Sequence, residues 1–376
     1  MKKFTLLFLP VLFANNLFSQ ATCNDEIIMA VKGNWTKRPD ANMKGTQTTQ
    51  IISRIDKIQQ LLQAAYPEPK GIEAKWYRSM GGHYPSLNKT SFAYDLNAMF
   101  FTWYCNIHVK KLMLGTETGT GFNIWANKFK WFAEKVDNFF VDNKPVYLLT
   151  KKLGELNGFL LFAGNDNRTA NTGTKFSKTI LISRPGQSPY TPVSRKQYLL
   201  VLLKNKSERQ NKYMESLQKM PVRSDAEEEL YKNKQMEREV NKPGNELFRE
   251  KVKGNFLRAY KSDKQRKQDD INLAQKVYLE SIKAAQDYLA GTPENELAKP
   301  AYLEYVTYSF LRFAAEKDGY IMVQENSNYF NSKLPVYAPQ FLVVYWTWNT
   351  EKPSLDFANQ IENNFNFKAL QAMLDK

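Results

Sequence analysis

The sequence predicts an α+β fold: an antiparallel or mixed sheet, flanking helices and a long, charged helical arm inserted into the chain. Short aromatic and β-branched segments bounded by turn residues occur in both halves of the chain, which predicts strands. Apolar residues recur with helical periodicity near position 55 and near the C-terminus. Residues 195–290 carry 22 Lys or Arg and 15 Asp or Glu. That density favours exposed helices supported by ion pairs one turn apart, or partial disorder.

The chain begins with the pattern of an export signal. A short basic start precedes the apolar segment 4–13, which is too short for a membrane-spanning helix of about 20 residues. We therefore expect residues 1–19 to be a signal peptide cleaved after Ser19, and the protein to be periplasmic or at the cell surface. A lipid anchor on Cys23 is disfavoured, because the preceding residues lack the aliphatic and small pattern of that motif.

Length and composition suit one large or two ordinary domains, with 43% hydrophobic residues to build a core. Lys and Arg number 53 against 38 Asp and Glu, which gives a formal net charge of +15. A basic surface favours acidic partners, or it serves solubility alone. Export argues against genomic nucleic acid, so the expected partner is an envelope protein or an anionic glycan.

The N-terminal part of the body, residues 20–194, is predicted to be α+β. Its first helix is predicted from an apolar stripe with helical spacing: Ile51, Ile55, Ile58 and Leu62. Pro67 ends that helix. Glycine and proline predict loops at 32–48 and 70–91.

Aromatic and β-branched residues dominate the rest of this part. The predicted strands are 99–114, 146–150, 159–164 and 178–183. Segment 123–140 is predicted to be a helix, and the glycine-rich segment 115–121 is the turn that leads into it. The Asn-Gly pair at 157–158 predicts a β-hairpin, because both residues tolerate positive φ.

The start of the arm is marked by a capping box. Ser194 is followed three residues later by Gln197, so each side chain can bond the other's backbone amide at a helix N-terminus. The arm then occupies residues 195–290, and Pro221 and the Asn-Lys-Pro-Gly sequence at 241–244 break it.

Apolar residues are sparse between 204 and 270 and then return with helical spacing. The stripe consists of Ala274, Tyr278, Ile282, Ala285 and Leu289. We expect an antiparallel arm whose base, 198–203 and 274–289, packs on the body.

Residues 297–376 are predicted to complete the body. The predicted strands are 302–313, 320–324 and 341–348. The tail, 354–375, is predicted to be helical, with Phe357, Ile361, Phe365 and Leu370 available for packing.

The cysteine and histidine inventory is small. Cys23 and Cys105 allow one disulfide in an oxidising compartment, although sequence alone does not test its geometry. The only histidines are His83 and His108. A zinc site from these four residues is disfavoured, because residues three apart on a strand point to opposite faces. Nothing near Cys105 favours a reactive thiolate. We therefore expect no metal and no cofactor.

Familiar catalytic motifs are missing. No G-x-S-x-G, H-E-x-x-H or G-x-x-x-x-G-K-[ST] occurs. Ser86 and Lys89 match S-x-x-K without the companion motifs. The turn at 115–121 lacks the lysine of a phosphate loop. The polar segment 164–173 lacks the closing glutamate of an EF-hand.

Paired carboxylates stay open, because glycoside hydrolysis requires only a separation in space. The candidates are Asp95, Glu117, Glu155 and Glu304.

The aromatic residues give the candidate ligand-binding set. Trp76, Tyr77, His83 and Tyr84 lie in predicted glycine-rich loop, and Trp346 and Trp348 share one strand face. Exposed aromatic rings stack on sugars or anchor partners, whereas buried ones only build the core. Both readings are open for these residues.

The leading hypothesis is a non-catalytic envelope or surface protein that binds a partner or an anionic polymer through the basic arm and the aromatic loops. The alternative is a hydrolase directed at polysaccharide or peptidoglycan, with paired carboxylates. A homodimer through paired arms is a third possibility.

Overall fold

The computed structural model describes residues 23–376 apart from positions 46, 84–90, 107, 110, 117–118, 129–132, 165–175, 305–312 and 317. The predicted signal peptide therefore lies outside the described residues. Among the described helices, none combines the length and the apolar character needed to cross a membrane.

The elements alternate in a pattern typical of an α+β protein. The described strands are β1 Trp35–Lys37, β2 Ile72–His83, β3 Phe92–Asn106, β4 Lys111–Leu114, β5 Thr120–Ala126, β6 Ala133–Val141, β7 Lys144–Leu149, β8 Lys152–Leu156, β9 Phe159–Ala163, β10 Phe176–Ile182, β11 Tyr190–Pro192, β12 Tyr302–Leu303, β13 Tyr320–Glu325 and β14 Leu342–Trp348. The described helices are α1 Asp25–Ala30, α2 Thr48–Ala65, α3 Arg195–Lys219, α4 Asp225–Val240, α5 Arg249–Ala259, α6 Asp263–Gly291, α7 Glu294–Leu297, α8 Lys352–Asn364 and α9 Phe367–Gln371.

Two sheets form the body. The large sheet has the order β1-β2-β3-β5-β14-β10-β9-β8, with β4 paired to β3, and the small sheet has the order β11-β13-β7-β6, with β12 paired to β13. Only the β1–β2 pair is parallel among the described strand pairs. The predicted α+β class with a mixed sheet and flanking helices is confirmed. Strand β14, from the C-terminal part of the chain, lies in the middle of the large sheet between β5 and β10.

Helices α2, α8 and α9 cover one face of the large sheet. The stripe predicted in α2 and the four residues predicted in the tail are all buried there: Ile51, Ile55, Ile58, Leu62, Phe357, Ile361, Phe365 and Leu370. The rings of Phe100 and Phe357 lie 4.1 Å apart across the helix–sheet interface. Each fully buried aliphatic or aromatic side chain stabilises the fold by roughly 1.5–3 kcal/mol. This first core therefore contributes a large share of the hydrophobic stabilisation of the body.

A second core lies between the two sheets. Trp125 and Tyr345 extend from the large sheet toward Tyr147 and Val323 of the small sheet, and all four are buried. Strands β5 and β14 therefore bury side chains on both of their faces.

Two sequence predictions are wrong in this region. The loop predicted at 70–91 contains β2, a 12-residue strand, and residues 84–90 lie outside the described residues. Gly81 and Gly82 coincide with a register shift between Met80 and Gly82. Where the structure describes the helix predicted at 123–140, residues 123–126 belong to β5 and residues 133–140 to β6, while 129–132 lie outside the described residues. A strand buried on both faces has a nearly continuous run of apolar residues, so its sequence lacks the alternation of apolar and polar residues. Such a run resembles a helical stripe in sequence, and the glycine-rich turn before it leads into strand β5.

Smaller differences concern the ends of strands. The predicted strand 99–114 is divided between β3 and β4. The predicted loop 32–48 contains the short strand β1. Of the predicted strand 302–313, Tyr302–Leu303 is strand, and 305–312 lie outside the described residues.

The hairpin predicted at 157–158 is confirmed. Asn157 and Gly158 connect β8 to β9 with φ angles of 54° and 85°. Positive φ at both central positions matches the right-handed twist of the flanking strands.

Cys23, which lies just before α1, and Cys105 of β3 form a disulfide across a sequence separation of 82. The bond attaches the segment before α1 to the large sheet.

The predicted capping box opens α3. Gln197 N donates to Ser194 Oγ at 3.1 Å, and Ser194 N donates to Gln197 Oε1 at 3.0 Å. We expect Ser194→Ala to lower the free energy of unfolding by about 1 kcal/mol, because an amide loses its acceptor. Urea unfolding followed by tryptophan fluorescence measures the change.

Ser224→Ala is the matched control for this prediction. Ser224 forms the same capping box at α4, in the outer arm, so its loss should reduce helicity and leave the unfolding midpoint of the body unchanged. Equal shifts of that midpoint in the two variants would contradict the prediction.

Candidate partner-binding groove on the helical arm

The arm consists of four consecutive helices that leave the body and return to it. Helices α3 and α6 run antiparallel, because residue numbers rise along α3 while those of their partners on α6 fall. The three contacts that show this are Arg195 with Tyr288, Lys206 with Ser281, and Gln218 with Lys267. Helices α4 and α5 form the outer part of the arm. The helices end where the sequence predicts, near Pro221 and at 241–244. Helix α3 alone has 25 residues, which corresponds to about 37 Å at about 1.5 Å per residue.

The base of the arm is fixed to the body by a third core. Tyr198 and Leu199 of α3 and Ala285 of α6 are buried among residues of the small sheet, including Phe139 and Met322. The Tyr198 ring stacks on Phe139 with 5.3 Å between the ring centroids, and burial raises the pKa of the tyrosine hydroxyl. This packing fixes the orientation of the first turns of α3 and the last turns of α6 relative to the small sheet.

Farther from the body the arm has little core. Within the fully described range 195–291, α4 and α5 contain no buried residue. Ion pairs connect the helices instead: Arg223 Nη1 lies 3.0 Å from Asp263 Oδ2, and Lys264 Nζ lies 2.6 Å from Asp225 Oδ1. Exposed pairs of this kind stabilise a fold by at most about 1 kcal/mol each. The outer arm therefore has little hydrophobic stabilisation of its own.

A groove of about 420 Å³ lies between α3 and α6. Its lining consists of Lys206, Arg209, Gln210 and Tyr213 from α3 and Asp270, Leu273, Ala274, Val277, Tyr278 and Ser281 from α6. The spacings of three and four residues place each set on one face of its helix. Tyr213, Leu273 and Val277 are more than half exposed. The groove therefore presents an apolar strip to solvent.

The α3 wall of the groove is positively charged. Lys206 Nζ donates to the carbonyl of Ser281 at 3.2 Å. Burial of the ammonium group, and secondarily the charge of Arg209, lower the pKa of Lys206. Across the described part of the chain, no carboxylate lies within ion-pair distance of Arg209. The wall would therefore be stabilised by an acidic group brought by a partner.

The chemistry of the groove is that of a binding surface. It offers apolar contact, tyrosine hydroxyl groups and cations, and its described lining contains a single carboxylate, Asp270. General acid and base catalysis of glycoside hydrolysis requires two carboxyl groups about 5–10 Å apart.

Three of the four candidate residues predicted in this loop lie on strand β2. Trp76 faces the first core, with Arg78 5.8 Å and Lys37 5.7 Å from its ring centroid. Tyr77 points to the opposite face of the sheet, because successive strand residues alternate. His83 is the last residue of β2, where its backbone pairs with Phe92. Tyr84 lies outside the described residues.

The two tryptophans of β14 differ in environment. Trp346 is completely buried in the first core. Trp348 is partly exposed at the end of the strand, where its ring stacks on Phe176 at 5.7 Å. Trp76 and Trp346 occupy one row across the sheet, since Trp76 pairs with Ala98, Ala98 with Phe122, and Phe122 with Trp346. Three strand spacings of about 4.8 Å separate them, so their rings do not form one aromatic platform.

Two of the candidate carboxylates, Asp95 and Glu155, lie far apart. Asp95 lies on β3 and Glu155 on β8, five strand spacings apart in the large sheet, or roughly 24 Å. Asp95 accepts a hydrogen bond from Ser79 Oγ at 3.0 Å. Glu304 follows the short strand β12 of the small sheet, and Glu117 lies outside the described residues.

The remaining sequence motifs also fall partly outside the described residues. Ser86 and Lys89 are not described, and neither are residues 165–173 of the polar segment. Among the residues that are described, no cluster of three or more His, Cys, Asp or Glu side chains is placed to hold a metal ion.

No protein-family model matches the chain, and no curated protein or solved structure matches it. The geometry of the groove is therefore the basis for a functional assignment. The sequence contained a signal for it, because Leu273 and Val277 recur at a spacing of four beside the predicted inward stripe of α6. Periodicity alone cannot show that this second stripe stays uncovered.

Proposed function

We propose that the protein is an exported, non-catalytic binding protein of the cell envelope that captures an amphipathic helix of a partner protein in the α3–α6 groove. The observation that carries the proposal is the exposed apolar strip of Tyr213, Leu273 and Val277 between two helices. A groove between two helices is the geometry in which a third helix buries its apolar face. Contiguous apolar exposure on a soluble protein marks an interaction surface.

The charges of the groove specify the partner further. Lys206 and Arg209 lie along the α3 wall, against the single Asp270 on the α6 side. A helix with acidic residues beside its apolar stripe complements that wall, whereas a basic helix is repelled by it.

Export is supported by the N-terminal sequence pattern and agrees with the disulfide between Cys23 and Cys105. Disulfides persist in oxidising compartments such as the periplasm or the cell exterior. The partner is accordingly an envelope protein.

Val277→Asp should weaken partner binding at least tenfold, because it places a carboxylate on the apolar strip. A photo-crosslinking residue at Leu273 identifies the partner in intact cells, and titration with the crosslinked segment of that partner then measures the affinity of each variant. The crosslinked peptide should be an amphipathic helix with an acidic edge.

Leu279→Asp is the matched control. Val277 and Leu279 lie on the same helix and are each 54% exposed, but only Val277 lines the groove. Arg209→Glu should weaken binding more strongly at low ionic strength than at high ionic strength, because salt screens exposed charges. Equal losses from Val277→Asp and Leu279→Asp, or a crosslinked segment with a basic edge, would refute the groove as the binding site.

A further inference from the structure

The outer end of the arm exposes two adjacent apolar side chains. Leu247 is 91% exposed and Phe248 is 58% exposed. Both lie in the 3₁₀ turn Glu246–Phe248 between α4 and α5. The preceding turn is held by hydrogen bonds, since Asn245 Nδ2 donates to Glu239 O at 2.8 Å. These two side chains are therefore presented together at the tip.

Positive charge begins immediately after the apolar pair. Helix α5 contains four basic residues against one acidic residue, Glu250. Arg249, Lys251 and Lys253 are exposed, and no carboxylate of the described chain lies within ion-pair distance of them. Glu246, in the same turn, accepts a hydrogen bond from Gly244 N at 2.9 Å. The tip therefore combines apolar exposure with an excess of cations over carboxylates.

The acidic residues of the neighbouring helix do not cancel this charge. Helix α4 is acidic overall, but several of its carboxylates are engaged within the arm. Asp225 pairs with Lys264, Glu228 with Arg223, Glu229 with Lys232 and Glu239 with Lys242. The basic side of α5 is accordingly available to an external anion.

We propose that the tip binds an anionic membrane surface, with Leu247 and Phe248 in the interfacial layer and Arg249, Lys251 and Lys253 against lipid phosphates. Apolar side chains next to free lysine and arginine are typical of interfacial membrane attachment. A polysaccharide would contact the cations but would leave the aliphatic side chain of Leu247 exposed to water. The observations therefore favour a lipid surface over a glycan. This site is separate from the groove and does not depend on it.

Co-sedimentation of the full mature chain with vesicles tests the proposal. Vesicles of phosphatidylethanolamine and phosphatidylglycerol should bind the protein at least tenfold more tightly than vesicles of phosphatidylcholine. The double substitution Leu247→Ser with Phe248→Ser should reduce that binding about tenfold. Lys251→Glu with Lys253→Glu should remove most of its salt dependence.

Leu230→Ser is the matched control, because Leu230 is exposed on α4 and lies outside the tip; its vesicle binding should equal that of the wild type. Val277→Asp should also leave vesicle binding intact, so failure at the tip and failure at the groove are distinguishable. Equal binding to both vesicle types, or an unchanged affinity of the tip variant, would overturn the proposal. Binding to dextran sulfate without binding to vesicles would assign the tip to an anionic polymer instead.

Discussion

Replacing Trp346 with alanine should lower the free energy of unfolding by about 3–5 kcal/mol, the range measured for deleting a large buried ring. The Trp346 side chain is 0% exposed in the first core. Its indole Nε1 donates to Glu362 Oε1 at 3.3 Å, so the substitution also removes a partner of that carboxylate. Helices α8 and α9 lose a contact surface at the same time. Urea unfolding followed by circular dichroism measures the change, provided that the slope with denaturant is unchanged.

Trp348→Ala is the comparison that decides between core packing and ligand binding. Trp348 shares the strand and the face with Trp346 but is partly exposed. We expect a loss of about 1 kcal/mol, because a partly exposed ring removes less surface from water. If Trp346→Ala kept full stability, its ring would not be a core element, and a ligand-binding role would become the better explanation.

The helical regions were predictable because their signals are local. The stripe of α2, the capping box at Ser194 and the arm breaks near Pro221 and 241–244 all act within a few residues, and each has the predicted structure. Charge density also indicated that the outer arm would be exposed, since few apolar side chains were available there to bury. Local physical chemistry therefore accounts for most of the arm.

The strands were less predictable because their environment is set by distant residues. Strand β5 lies between β3 and β14, although β14 follows it by more than 200 residues. The partners that bury both faces of β5 cannot be deduced from its own sequence. The same reason explains Trp76, whose glycine-rich surroundings resemble a loop until β1 and β3 are known to pair with β2 on either side.

The candidate sites were predictable only in part. The sequence indicated a basic arm but not which of its side chains remain uncovered, and that distinction separates Val277 at the groove from Ile282, which is buried. It gave no indication that Leu247 and Phe248 would lie at the outermost turn beside free cations. Exposure depends on which helices pack against each other, and the spacing of residues in one sequence does not give that packing.

Gly33→Ala should destabilise the body by about 3 kcal/mol, the upper end of the usual range for overpacking. A Cβ atom at position 33 would lie 1.7 Å from the carbonyl oxygen of Ile72, far inside contact distance. That oxygen belongs to the backbone of β2 and cannot rotate away. Gly33 N also donates to Pro69 O at 2.8 Å, so any shift that relieves the clash breaks this bond and disturbs the parallel pairing of β1 with β2. Differential scanning calorimetry of the purified chain measures the loss.

Gly254→Ala is the same substitution in the opposite environment. Nothing lies within 4 Å of a Cβ built at this position in α5, so alanine should stabilise the helix locally by roughly 0.5–1 kcal/mol through its higher helix propensity. We expect slightly increased helicity and an unchanged transition temperature of the body. A similar destabilisation by both substitutions would show that steric contact with Ile72 does not cause the loss. If Gly33→Ala left the transition temperature unchanged, β1 could separate from β2 without loss of stability. The pairing of β1 with β2 and the burial of Ile72 argue against that outcome.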